Sequence, residues 1–155
     1  MVTEQQNRPS RGGYLDKFKR TLDASRRVMI PSEWREADPA PDYTILPWPL
    51  SKPQYLIALP PQRWTLLVER MGATSLSDPT AGLVQRAIAS SAVRVKPDGN
   101  GRIVLPEDLL KRLNIEKEVY LVGRLELFEI WNPATFESQQ DYTEQVDKII
   151  ASWNI

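Results

Sequence analysis

An aspartate followed four positions later by an arginine occurs twice in matching surroundings. The first copy reads Phe18-Lys-Arg-Thr-Leu-Asp23-Ala-Ser-Arg-Arg27-Val-Met-Ile-Pro31, and the second reads Val93-Arg-Val-Lys-Pro-Asp98-Gly-Asn-Gly-Arg102-Ile-Val-Leu-Pro106. A carboxylate in this position holds a tight turn by accepting backbone N–H groups, so Asp23 and Asp98 are read as turn-structural. The arginine has two uses. It pairs with its own aspartate, or it presents a planar fork of donors to a phosphate or a guanine edge. Around Arg27 the cations Lys17, Lys19, Arg20 and Arg26 crowd one strand and turn, which favours the nucleic-acid reading. Around Arg102 the two readings balance, because Glu107 and Asp108 offset Arg94 and Lys96.

Other chemistry finds few residues to carry it. The chain has no cysteine and no histidine among its 155 residues. That removes disulfides, thiol nucleophiles, histidine bases and the usual zinc sets. Glu107 and Asp108 are neighbours in sequence and diverge on a helix, so they do not form an acid–base pair. No enzyme, cofactor, metal site or small-molecule substrate is implied. Acids and bases balance at 20 each, yet residues 1–35 hold eight Lys/Arg against four acids. This asymmetry suits a basic face for a polyanion, or a polar tail of no consequence. No apolar run approaches the ~20 residues of a membrane span, and the N-terminus does not resemble a signal peptide. A cytoplasmic protein without membrane contact is expected.

The elements that must position the two turns follow from periodicity and punctuation. Residues 1–13 are polar and marked by Gly and Pro, and read as a disordered tail. Tyr14–Leu22 alternates as a strand, Asp23–Arg26 turns, and Val28–Ile30 is a second strand. Pro31 opens a one- to two-turn helix that stops before Pro39. Seven of the thirteen prolines lie in 39–61, which confines strands at Tyr43–Leu46 and Tyr55–Leu59 to edges or strand ends. Pro61 opens a helix ended by Gly72, with Trp64, Leu67, Val68 and Met71 on its apolar face. Asp78-Pro79 starts the next, with Leu83, Val84, Ala87 and Ile88. The second copy then supplies a hairpin, a short helix over Pro106–Leu113 capped by Asn114, and strands at Val119–Val122 and Leu127–Trp131. A last helix from Asn132-Pro133 carries an apolar stripe of Tyr142, Val146, Ile149, Ile150 and Trp153. Trp64 and Trp131 read as core, and Trp48, between two prolines, as exposed. Pro61 and Trp64 align with Pro133 and Phe136, so the whole unit is duplicated.

These residues resemble a known family. Thr21-Leu-Asp-Ala-x-x-Arg27-Val-x-Ile-Pro, Ser77-Asp-Pro, Val84-Gln-Arg86, Asp98-x-x-Gly-Arg102-Ile-x-Leu-Pro106, Glu118-Val-x-Leu-Val-Gly123 and Phe128-Glu-Ile-Trp131 together are similar to MraZ, a family of bacterial regulators with two AbrB/SpoVT-like motifs in one chain. The resemblance covers about residues 14–153. It implies an α+β fold, a duplicated AbrB/SpoVT-like swapped-hairpin β-barrel with flanking helices. The corresponding division is a tail at 1–13, a first repeat at 14–72, a connecting helix at 73–91, and a second repeat with C-terminal helix at 92–155. It also implies a ring-like homo-oligomer on double-stranded DNA, nucleoid association, and control of the operon for division and cell-wall genes. The DNA-facing set is then Arg27, Arg26, Ser25, Arg20, Lys19, Arg102 and Asn100.

Two departures from the family turn, Asp-x-Lys-Gly-Arg, concern that set. Ser25 and Asn100 stand in the place of the lysine, and Arg26 in the place of the first glycine. If that glycine position requires positive φ, Arg26 carries strain. Two other readings fit the same residues: an oligomeric scaffold that has lost specific DNA reading, and an antitoxin-type AbrB regulator.

Overall fold

The computed structural model describes residues 12–35, 41–139 and 141–154. Most of the expected tail, and the end of the helix before Pro39, lie outside the described residues. The elements in chain order are β1 (Lys17–Thr21), β2 (Arg27–Met29), a single 3-10 turn at Ser32–Trp34, β3 (Tyr43–Trp48), β4 (Tyr55–Leu59), α1 (Pro61–Gly72), α2 (Pro79–Ser91), β5 (Val93–Val95), β6 (Arg102–Val104), α3 (Glu107–Arg112), β7 (Glu118–Arg124), β8 (Leu127–Trp131), α4 (Pro133–Glu137) and α5 (Thr143–Ser152).

The fold is α+β. Six strands form one antiparallel sheet in the order β1-β7-β8-β4-β3-β5, and β2 pairs with β6 as a separate two-stranded ribbon. The sheet order reads the same from either edge when β1 is exchanged with β5, β7 with β3, and β8 with β4. The first strand of each copy thus pairs in the other half of the chain: β1 lies on β7, with Lys17 opposite Val122, and β5 lies on β3, with Tyr43 opposite Val95. The described strands do not close into a single barrel. β2 and β6 have three residues each, bounded by the turns on one side and by Pro31 and Pro106 shortly after, so they reach only each other.

Alternation sends one face of the sheet into the main core. Ile45, Leu56, Ala58, Val119, Leu121, Phe128 and Ile130 come from the sheet, and Val28, Ile30, Ile103 and Leu105 from the ribbon segments. Leu109, Leu110 and Leu113 close it from α3. Burying each of these large side chains contributes about 1.5–3 kcal/mol, so the ribbon is anchored from beneath. On the opposite face Leu46, Ile57, Leu59 and Leu127 meet Ile88 of α2 and the flank of α1. Among the described residues no helix is long and apolar enough to cross a membrane.

Three expectations change on folding. The helix after Pro31 is only the Ser32–Trp34 turn, because Trp34 drops into the core and its Nε1 donates to the Leu15 carbonyl at 2.8 Å. Trp64 is half-buried beside the second cluster rather than in the core. The last helix is two helices. α4 ends at Glu137, where the Ser138 N–H bonds back to the Ala134 carbonyl. α5 starts afresh where Asp141 accepts from the Thr143 N–H at 3.0 Å. Serine and aspartate compete with helical backbone bonds, and here they win over the apolar period.

Candidate functional site

Each turn is built by its aspartate in the same way, atom for atom. Asp23 Oδ1 accepts from the Ser25 and Arg27 N–H groups, both at 2.9 Å, and Oδ2 accepts from Arg27 Nε at 2.8 Å. Asp98 Oδ1 accepts from Asn100 at 2.9 Å and Arg102 at 3.0 Å, and Oδ2 from Arg102 Nε at 3.1 Å. The backbone N–H of Arg27 is the main cause holding the Asp23 carboxyl below its ordinary pKa. The Arg102 N–H does the same for Asp98. Hydrogen bonds to the ionised form stabilise it. A guanidinium gripped at Nε leaves its Nη groups to bond elsewhere. Among the described residues, the Arg27 Nη groups make no hydrogen bond or ion pair.

The third residue of each turn after the aspartate must take positive φ, and both do. Gly101 has φ +81° and Arg26 has φ +61°. The left-handed region costs a non-glycine residue about 1–2 kcal/mol, so Arg26 holds the strain its position implied. Its carbonyl is used: the Leu105 N–H donates to it at 2.9 Å. In the mirror contact, the Ile30 N–H donates to the Gly101 carbonyl at 2.9 Å.

Pairing of β2 with β6 makes the two turns one surface. Val28 and Ile103 point inward and are fully buried, so Arg27, Met29, Arg102 and Val104 share the outer face of the ribbon. Arg102 Nη1 comes within 4.0 Å of Asp23 Oδ2, which links the turns directly. Ser25 and Asn100, both exposed, sit on the two turns beside this face.

The remaining candidates lie elsewhere or are engaged. Lys19 points to the opposite face of β1 from Arg20, between Glu137 at 3.5 Å and Glu118 at 3.8 Å. Its pKa is raised, chiefly by the charge of Glu137. Arg20 stacks over Phe18, its carbon centre 5.0 Å from the ring, and Nη1 donates to the Lys19 carbonyl.

Sequence order also misassigns two charges. Arg35, from the first half, lies across the second turn: a Cβ on Gly101 would meet its Cδ and Nη1 at 2.8 Å, and Nη1 donates to the Asn100 carbonyl at 3.4 Å. Glu107, from the second half, stands 4.0 Å from Arg26 on the first turn. The excess positive charge that segment counting places on the first turn is thereby moved toward the second. Nothing in the spacing of Arg35 announces this; only the exchange of pairing partners brings it there.

Comparison with known proteins bears on the family. The family model described as "MraZ protein, putative antitoxin-like" matches residues 88–150. The chain is 31% identical to the transcriptional regulator MraZ of Shewanella pealeana over 76% of this chain and 78% of the relative. To the protein of that name from Thermomicrobium roseum it is 30% identical, over 83% of this chain and 87% of the relative. To that from Nocardia farcinica it is 27% identical, over 87% and 95%. Likeness at this level over most of both chains means that the chain belongs to the MraZ family, whose curated relatives are named transcriptional regulators.

Proposed function

We propose that the protein is a DNA-binding transcriptional regulator and that the outer face of the β2–β6 ribbon, with its two turns, is the reading surface. The observation that carries this is the convergence of Arg27 and Arg102, 75 positions apart in sequence, on one exposed face, each gripped at Nε by its own aspartate. A two-stranded ribbon fits the major groove, where paired guanidinium donors match guanine O6 and N7 or bridge phosphates. Met29 and Val104 add apolar contact of the kind that meets thymine methyl groups. Arg26, Ser25, Asn100 and Arg35 flank this face and suit phosphate contacts. Lys19 is taken up by its two glutamates.

The palindromic strand order supports reading residues 14–72 and 92–155 as two AbrB/SpoVT-like repeats with exchanged hairpins, joined by the helical segment at 73–91. One ribbon is a small interface and a weak binder. We therefore read the protein as a homo-oligomer, ring-like as in the resembling family, that engages several short sites at once. A nucleoid-associated cytoplasmic protein acting on the operon for division and cell-wall genes follows from the same reading.

The test is fluorescence anisotropy on the chain's own upstream DNA against random DNA across a salt series. Specific binding with a steep salt slope is expected, and alanine at either Arg27 or Arg102 should weaken it about tenfold or more, in keeping with the ~1–3 kcal/mol of a bidentate base contact. Equal affinity for both DNAs would favour the scaffold reading. No loss in either variant would remove the ribbon from the interface.

A further inference from the structure

α5 is amphipathic, yet none of its residues is buried. Val146, Ile149, Ile150 and Trp153 stand at positions i, i+3, i+4 and i+7, the spacing by which a helix anchors in an apolar groove, and all four are exposed. Asp147 flanks this stripe. The segment from Glu137 to Trp153 holds four acids, Glu137, Asp141, Glu144 and Asp147, against Lys148 alone.

A groove of opposite character lies between α1 and the outer face of β3, β4 and β8. It has a volume of about 310 Å³, a floor that includes Leu46 and Leu59, and a wall at Leu66. Three arginines rim it, Arg63, Arg70 and Arg124, and among the described residues no carboxylate lines it. Arg63 is held by Glu126 and Arg124 by Glu129, both at 3.2 Å. Arg70 makes no ion pair among the described residues. No residue of α5 lines the groove, so the chain does not fill it with its own helix.

We propose that α5 of one copy docks in the Arg70 groove of a second copy, with Val146, Ile149, Ile150 and Trp153 inward and Asp147 against Arg70. This rests on the homo-oligomer reading above and supplies its contact. A second copy is the occupant because the acidic, apolar helix and an apolar groove whose rim carries the unpaired cation Arg70 are both present in this chain. Pairing two α5 stripes with each other would instead set acid against acid. Helix and groove are different surfaces, so the contact is heterologous: head-to-tail repetition closes a ring when the rotation permits and extends a filament otherwise.

The test is size exclusion with light scattering on the full chain over a range of concentrations. The wild type is expected to be oligomeric. Ile150→Asp, at an exposed position, should keep the wild-type circular dichroism spectrum and drop to the monomer. Arg70→Glu and Asp147→Arg should each raise the dissociation concentration about tenfold or more, and the double variant should restore assembly. An Ile150→Asp variant that keeps the wild-type mass overturns the docking and leaves the oligomer reading standing. A wild type that stays monomeric overturns both. Loss in both single variants without rescue in the double overturns the Arg70–Asp147 register. Affinity for DNA carrying a single site should be unchanged in Ile150→Asp, so failure of the ribbon as reader is seen separately.

Discussion

At the scale of single residues, Arg26 is where stability and function part company. A left-handed arginine on an exposed turn costs more than the glycine that would supply the same carbonyl to Leu105, and residues held this way gather at functional sites. Arg26→Gly is therefore expected to raise stability by about 0.5–1 kcal/mol in urea unfolding and to lower DNA affinity in the same preparation. A variant that gains stability and keeps its affinity would make Arg26 a bystander. Ser25→Lys should strengthen binding on any sequence and steepen the slope of log K against log salt by about 0.9 for each turn engaged. The two aspartates give the protein an acid limit. Their pKa values are lower folded than unfolded. The stability they contribute is thus fully present above the ordinary aspartate pKa and is lost as pH falls through the folded values. Unfolding midpoints should decline from about pH 5 downwards. Asp23→Asn with Asp98→Asn should be weaker at neutral pH and flatter below it.

At the scale of elements, the turns, the β4 and β8 strands and the proline-opened α1 and α2 were legible because each has a local cause: an Asx contact, a period, a cap. What was not legible is what touches what. The break between α4 and α5 depends on Asp141 capturing Thr143 against a continuous apolar period. The position of Arg35 over Gly101, and of Glu107 beside Arg26, depends on strand pairing across the whole chain. Proline placement was legible only in part: β4, expected at an edge or strand end, lies inside the sheet between β8 and β3, its prolines falling outside the strand. Pro47 sits within β3 opposite Leu56, but β5 covers β3 only from Tyr43 to Ile45, so the missing N–H falls where β3 is an edge. One close approach makes a sharp prediction. A Cβ on Gly123 would collide with the Tyr14 carbonyl, which belongs to the Tyr14–Leu125 bridge. Backbone must move there, so Gly123→Ala should cost about 1–3 kcal/mol. Gly101→Ala meets a flexible arginine instead and should cost mainly its φ, about 1 kcal/mol.

At the scale of the whole molecule, a reader of small area gains affinity by repetition. DNA with two or three sites spaced by one helical turn should bind about 10²–10⁴-fold tighter than DNA with one, and that gain should vanish when assembly is broken. The exchanged strands have a second consequence, in time rather than in space. β1 completes a sheet whose partner, β7, comes about a hundred residues later: Lys17 must wait for Val122. At a synthesis rate of about 5–20 residues per second, the first half leaves the ribosome some 5–20 s before its partner strand exists. For that interval Phe18 and the apolar faces of β3 and β4 have no permanent cover. Such late, non-local closure makes for slow folding. The nascent chain is thus a natural client for chaperones, and residues 12–72 expressed alone should aggregate, then regain solubility when the remainder is supplied in trans.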